Sequence, residues 1–245
     1  MAAPLAPTID LVVPARNEAV NIPSLLESIP WSMLRHVVVV DNGSTDQTAW
    51  TARQGGAIVI QEKRRGYGSA CLAGLAWIAD CDEPPDLVGF VDADLADDPR
   101  HLVDLSRPIT NGTADLAIAC RQRHAEKGAL TATQRFGNRL ACLLIWMATG
   151  RRYRDVGPMR MVRYTSLKTL AMSDPTWGWT VEMQFKAAVT GLRFSEIDLP
   201  YHQRHAGKSK ISGSVIGSIR AGVKIITTIG KLWCQHLTAR SKQKG

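Results

Sequence analysis

"LVGFVDADLADDP", residues Leu87 to Pro99, is the stretch on which the rest of the chain hangs. Five uncharged residues, Leu87 to Val91, run straight into Asp92-Ala93-Asp94, and Asp97-Asp98 follow after two more positions. A short apolar run of this kind suits a strand covered on both faces, as in a parallel sheet. Two aspartates at i and i+2 directly after a strand can turn to one side and present hard oxygen ligands to a divalent cation. Four carboxylates packed this closely repel one another, so something positive is expected among them. The plainer reading of Asp97-Asp98-Pro99 is the start of a helix, where negative charge meets the positive end of the helix dipole. Asp97 and Asp98 are therefore assigned to that helix start, and Asp92 and Asp94 to Mg²⁺ or Mn²⁺.

The same strand signal recurs upstream in "IDLVVP" (9–14), "HVVVVD" (36–41) and "AIVIQ" (57–61). Between the strands lie helical stretches, "EAVNIPSLLESI", "STDQTAWTARQG" and "GYGSACLAGLAWIAD". Ser44, Thr45 and Asp46 are N-cap candidates for the second of them. Alternation at this spacing predicts an α/β, Rossmann-like doubly wound, mostly parallel sheet with flanking helices. Ligands of such sheets sit outside the carboxyl ends of the strands. Three of the four runs end in polar clusters, Arg16-Asn17-Glu18, Asp41-Asn42 and Asp92-Ala93-Asp94, which should converge on one crevice. In the second half, "RFGNRLACLLIWMATG" and "GWTVEMQFKAAVTG" read as helices and "LRFSEIDLPYHQR" as a strand. The expected layout is one domain over 1–212, an amphipathic helix over 213–237 and a basic tail over 238–245.

Composition narrows the class. A chain of 245 residues with 45% hydrophobic and 21% charged residues is globular rather than disordered. Cys71, Cys81, Cys120, Cys142 and Cys234 are scattered with no C-x-x-C pair, which fits a reducing compartment and neither a disulfide framework nor a zinc-thiolate site. The N-terminus lacks a basic n-region, so no signal peptide is expected, and no apolar run reaches the length of a membrane span. Residues 1–120 carry a net charge of −8 and residues 121–245 a net charge of +16. The basic half is expected to meet something anionic, with a solvated basic face as the plain alternative.

Smaller motifs add candidates. Asp41 and Asn42, at a strand end before the tight turn Gly43-Ser44, can hydrogen-bond a base or a ribose. Pro14 fixes the chain as it leaves its strand, and Glu18 can reach a ribose hydroxyl, while Asn17 reads equally as a helix cap. "RHAGKSK" sets Arg204, Lys208 and Lys210 around Gly207, either wrapping a phosphate or forming a solvated loop. His202 and His205 lack a third ligand for a metal. "RRGYGSACLAGL" matches neither G-x-G-x-x-G nor a P-loop, and reads as a turn near the bound ligand in which Gly66 and Gly68 permit close backbone approach.

Together "VVPARNEAVNIPSLL", "VVVVDNGSTDQT", "RRGYGSACLAGL", "FVDADLADDP", "DVGPMRMVR" and "RHAGKSK" resemble the family 2 glycosyltransferases, inverting enzymes of the GT-A fold, over about Ile9 to Lys210. Within that family the chain looks most like the dolichyl- and polyprenyl-phosphate sugar transferases. The resemblance implies that Pro14, Arg16, Glu18, Val40, Asp41 and Asn42 line the nucleoside pocket of a GDP- or UDP-sugar. It also implies that Asp92, Ala93 and Asp94 hold the metal and diphosphate, Asp94 being catalytic, with Arg121 beside them. Arg160, Arg204, Lys208 and Lys210 would meet phosphate, including that of a polyprenyl phosphate or other anionic lipid acceptor. Where these enzymes often show a Tyr after Pro-Thr and a second Asp after the first, this chain has Arg16 and Asn42, and both positions bear on the donor base. A phosphate acceptor is already ionised and needs no strong base. A glycan or glycolipid hydroxyl would need one, for which Asp155 and Glu182 are the candidates. Asp155 has a structural alternative, pairing with Arg160 or Arg154.

The segment "SVIGSIRAGVKIITTIGKLWCQHL" sets Val215, Ile219, Val223, Ile226, Ile229 and Trp233 on one helical face, with Arg220, Lys224 and Lys231 opposite. Such a helix can lie in a membrane interface, or it can cover the core or a partner. With the apolar stretch Leu140–Ala148 and Trp177/Trp179 on the same side, peripheral contact with the cytoplasmic face of a membrane is the favoured reading. A nucleic-acid partner is not expected, since it would leave the acidic crevice unexplained. A nucleotide-binding, membrane-docking module without turnover is the rival from another class.

Overall fold

The Val- and Ile-rich runs become β1 (Ile9–Ala15), β2 (His36–Asp41), β3 (Ile58–Gln61) and β4 (Leu87–Phe90) of a computed structural model. It describes residues 6–206 and 215–242, with side chains in the second segment at 222–238. The connecting helices are α1 (Ile22–Ser28), α2 (Thr48–Gln54) and α3 (Tyr67–Ala79), followed after β4 by α4 (Leu102–Thr110). The N-cap of α2 is Gln47, not Ser44, Thr45 or Asp46, although Asp46 just before it accepts a hydrogen bond from the Thr48 amide at 3.0 Å. Then come β5 (Leu116–Cys120), α5 (Ala132–Thr149), β6 (Arg160–Arg163), α6 (Tyr164–Leu170), α7 (Trp179–Val189), β7 (Phe194–Asp198) and α8 (Val215–Lys242). A capping box between Thr131 and Gln134 starts α5, and Gly150 at φ 73° ends it.

The sheet order is β3-β2-β1-β4-β6-β5-β7. β1 pairs in parallel with β2 and β4, β2 with β3, and β5 with β7, while β6 runs antiparallel between β4 and β5. The sheet is therefore mostly parallel, as the alternation of elements predicts. Alternate residues of each strand feed two core layers. Val12, Val38, Val40 and Phe90 pack with α3, α5, α7 and α8, and Leu11, Val13, Val39 and Val91 pack with α1, α2 and α4. Two covered faces explain why these strands carry uninterrupted apolar runs.

β5 and β6 escape prediction because two of the five residues of "LAIAC" are alanine, and "RMVR" begins and ends in arginine. The reversal of β6 has a consequence for the site. Its first residues, not its last, lie at the edge where β1, β2, β4 and β5 end. The segment 155–159 is thus delivered beside the acidic turn.

The apolar stripe of α8 divides between two jobs. Ile229 and Leu232 are buried in the first core layer, whereas Val223, Ile226 and Leu237 are about half exposed. The core-covering reading therefore holds along the buried edge, and the other edge is left uncovered among the described residues. The helix also continues from 238 to Lys242, where a separate tail is expected, since residues 231–242 contain no glycine or proline to break it. No helix among the described residues is long and apolar enough to cross a membrane.

Candidate active site

The loops after β1 and β2 are joined by side chains. The Asn17 backbone, at φ 50°, is held by its amide donating to Ser44 Oγ at 2.9 Å and by the Thr45 amide donating to Asn17 Oδ1 at 2.7 Å. The Glu18 amide donates to Thr48 Oγ1 at 2.8 Å. These bonds fix the buried Glu18 carboxylate, which accepts from Asn21 Nδ2 at 2.7 Å. After β4 the chain turns sharply, with Leu95 at φ 61°, and Asp94 Oδ1 accepts from the Ala96 amide at 3.1 Å. The segment after β7 then folds back over this turn. The His202 amide donates to the Ala96 carbonyl at 2.8 Å, and the His205 amide to the Asp94 carbonyl at 3.2 Å.

That return places Arg204 across the crevice. Its Nη1 donates to both Glu18 oxygens at 2.9 and 3.1 Å, and its Nη2 lies 3.0 Å from Asp94 Oδ2. One guanidinium thus spans the acidic residues of two loops that are far apart in sequence. Asp92 is placed differently. Its Oδ1 is buried beside the Tyr67 hydroxyl, and neither atom bonds any other group. Burial, reinforced by the charge of Asp94, pushes the Asp92 carboxyl up to about 7.

Asp97 belongs to the same cluster, contrary to its assignment to the helix start. It is 1% exposed and neither carboxylate oxygen has a partner. Burial drives its carboxyl well above the usual range, with Arg121 opposing and Asp92 and Asp94 adding to the shift. Only Asp98 acts at the helix start, accepting from the Arg100 amide at 3.0 Å ahead of the 3-10 turn Pro99–His101. The signal for Asp97 was present in the sequence as four carboxylates within seven residues. It was masked because helix starts favour aspartate for an unrelated reason.

Several expected site residues lie elsewhere or do other work. Asp155 is fully buried, accepting from the Arg121 amide at 2.7 Å, from Nε at 3.0 Å and from Nη2 at 2.7 Å. It pairs with Arg121, not with Arg160 or Arg154, and a carboxylate enclosed in this way is not a free general base. Burial works against the Arg121 charge, but Asp155 outweighs it and raises the pKa. Arg121 also lies 5.2 Å over the Tyr201 ring. Glu182 is likewise buried. It accepts from the Ser173 and Asp174 amides and lies 2.8 Å from Lys186 Nζ, so it anchors the 173–176 loop.

Arg160 has no exposed surface and donates to the carbonyls of Gly157, Pro158 and Thr180. Burial lowers its pKa, and no acceptor phosphate reaches it there. The Val40 side chain is fully buried against Gly74 of α3 and does not face the crevice. Asn42 is at the crevice edge, but its amide is committed to the β3–α3 loop. It donates to the Glu62 and Arg64 carbonyls and accepts from the Gly66 amide at 2.7 Å. Gly66 and Gly68 do need close backbone approach, though to the Asp174 and Pro175 carbonyls rather than to a ligand. Lys208 and Lys210 lie outside the described residues.

What is linked at the strand ends is therefore Glu18, Asp92, Asp94, Asp97 and Arg204, with Pro14, Arg16, Asp41 and Ala93 at or just beyond the ends of the same strands. Asp41 accepts from the Ser44 amide at 3.0 Å, and Arg16 Nε is buried without a partner. Among the described residues no three His, Cys, Asp or Glu side chains form a metal cage. Two hard carboxylates with the remaining positions open suit an ion such as Mg²⁺, which completes its shell with water and phosphate oxygens. The Asp92 oxygen, which bonds no group other than Tyr67, fits that role.

The raised carboxyls give a pH prediction. Folded Asp92 holds its proton between the ordinary 3.8 and about 7. Over that window the folded state binds more protons than the unfolded one, so its contribution falls as pH rises, and Asp97 acts with the same sign. A divalent cation needs the ionised form. Thermal unfolding from pH 5 to 8 is expected to show stabilisation by Mn²⁺ that grows with pH across the upper part of the range. A Mn²⁺ shift independent of pH would remove Asp92 as a ligand.

Residues 10–170 match the sequence pattern of the family described as "Glycosyl transferase family 2". An uncharacterized glycosyltransferase of Mycobacterium tuberculosis is 36% identical over 216 residues, covering 87% of this chain and 94% of that protein. The undecaprenyl-phosphate mannosyltransferase of Micrococcus luteus is 27% identical over 227 residues, covering 84% of this chain and 88% of that one. In fold, the chain is similar to glucosyl-3-phosphoglycerate synthase of M. tuberculosis, crystallised with Mn²⁺, UDP-glucose and phosphoglyceric acid. The TM-score is 0.70 at 21% identity, over 93% of this chain and 80% of that one. With the GT-A sheet, the acidic turn at its strand ends and these similarities together, the chain is a glycosyltransferase belonging to family 2.

Proposed function

We propose that this enzyme transfers a sugar, with inversion, from a nucleotide diphosphate to a polyprenyl phosphate at the cytoplasmic face of a membrane. The observation that carries the reading is the acidic pair Asp92 and Asp94, aimed into one crevice and countered there by Arg204. Asp92 and Asp94 would hold Mg²⁺ or Mn²⁺, which when bound neutralises charge building on the leaving diphosphate. Pro14, Arg16, Glu18 and Asp41 would line the nucleoside side, and Ala93, between the two aspartates, gives the diphosphate room. Arg204, already in reach of Asp94, would pass from the carboxylates to a phosphate group, with Lys208 and Lys210 following it in sequence.

The acceptor class is supported from two directions. A relative over most of the chain is named for an undecaprenyl phosphate, and the second half carries the positive charge that a lipid phosphate would meet. The carboxylates also favour phosphate over hydroxyl. Asp155 and Glu182, the two carboxylates offered as bases for a hydroxyl acceptor, are both buried in ion pairs. A UDP-sugar donor is supported by the UDP-glucose held by a protein of the same fold. GDP remains the alternative base, with Arg16 at the position that bears on it.

Thermal unfolding with UDP, GDP and CDP, each with and without Mn²⁺, tests the donor site. A nucleotide at a hundred times its dissociation constant should add about 2.7 kcal/mol. Stabilisation by one base, and only with metal, is expected. No shift with any nucleotide would favour a docking module without turnover.

A further inference from the structure

α5 presents an outward face unlike the rest of the surface. Phe136, Leu143, Trp146 and Met147 are 68%, 46%, 38% and 58% exposed. Their spacing puts them on one side of the helix, and no element among the described residues covers them. Arg139 is exposed on the same side, and the Arg152 guanidinium sits 4.4 Å over the Trp146 ring. Neither the 18 residues of α5 nor the 28 of α8, which packs against it, include an aspartate or glutamate. On α8, Val223, Ile226 and Leu237 form a second exposed apolar edge.

We infer that the outward face of α5, with the exposed edge of α8, docks on an anionic lipid bilayer. Apolar side chains interleaved with arginine, an arginine-stacked tryptophan and no acidic residue together complement acyl chains beneath phosphate head groups. A second copy of this chain fits less well. An isologous contact would face Arg139 and Arg152 with their own counterparts and supply no carboxylate to offset them.

The docked face is also tied to the crevice. Asn138 of α5 donates to the Arg154 carbonyl at 3.2 Å and accepts from the Val156 amide at 2.8 Å, on either side of the Asp155 that holds Arg121. A bilayer on α5 therefore lies against the helix that is fastened beside the site. The delivery of a lipid-borne acceptor rests on the proposed polyprenyl phosphate reading, while the docking itself does not.

The test is sedimentation of the full chain with vesicles of phosphatidylcholine alone or mixed equally with phosphatidylglycerol. A variant carrying Leu143→Glu and Met147→Glu is run in parallel. The wild type is expected to pellet with the anionic vesicles, and less so at high salt. The variant should bind at least about tenfold more weakly, because two exposed anchors are replaced by charge. Unchanged thermal unfolding and unchanged transfer to a water-soluble, short-chain polyprenyl phosphate would show that its fold and site are intact. Wild type left in the supernatant, or variant pelleting like wild type, would overturn the docking face. So would a wild-type dimer that the same substitutions split. Vesicle binding without transfer to the soluble acceptor would instead count against the catalytic reading and leave the docking face standing.

Discussion

Asp94→Ala is expected to lower sugar transfer by about two to three orders of magnitude, the scale seen when one preorganised electrostatic group is removed from a transition state. The fold should survive. The Asp94 side chain is 17% exposed and its contacts are the Ala96 amide and Arg204, so the core layers do not depend on it. Arg204 keeps both Glu18 oxygens and remains in place. Two measurements belong together here, turnover with a nucleotide sugar and the Mn²⁺-dependent thermal shift with the nucleotide alone. Loss of both, with an unchanged melting temperature for the unliganded protein, fits Asp94 as the metal carboxylate. Transfer at the wild-type rate would sink that assignment.

The second large effect falls on stability. Asp155→Ala removes the partner of a buried guanidinium held by two side-chain hydrogen bonds and leaves the Arg121 amide without its acceptor. Breaking a buried pair by deleting one member costs about 3–5 kcal/mol, which is a large share of a typical domain's stability. Denaturant unfolding should show a correspondingly lower midpoint with an unchanged slope. Asp155→Asn separates the structural role from a chemical one. A variant as stable as wild type but inactive, regaining rate at high pH, would return Asp155 to the general-base role that its burial denies it.

Both predictions concern aspartates that look alike in sequence, and they show where reading from sequence stops. The four parallel strands were legible because each is covered on both faces and so carries an unbroken apolar run. Where those runs end is fixed by local patterning, so Glu18, Asp41, Asp92 and Asp94 could be assigned to one edge before any coordinates. β6 was not legible, since arginine at both ends breaks its apolar run, and in β5 two alanines dilute the strand signal. The reversal of β6 follows from pairing between distant segments.

The sequence by itself determined the doubly wound sheet and the place of the acidic pair at the end of β4, because these depend on hydrophobic period and on residues adjacent in the chain. Only the tertiary structure decided which charges are free. Asp155, Glu182 and Arg160 read as chemistry in sequence but are buried against partners that include groups outside their own elements. Asp97 reads as a helix cap but lies unpartnered beside the acidic pair. Arg204 meets Glu18 across 186 positions. Burial and long-range pairing set the ionisation and reach of a side chain, and neither is a property of its neighbours in the chain.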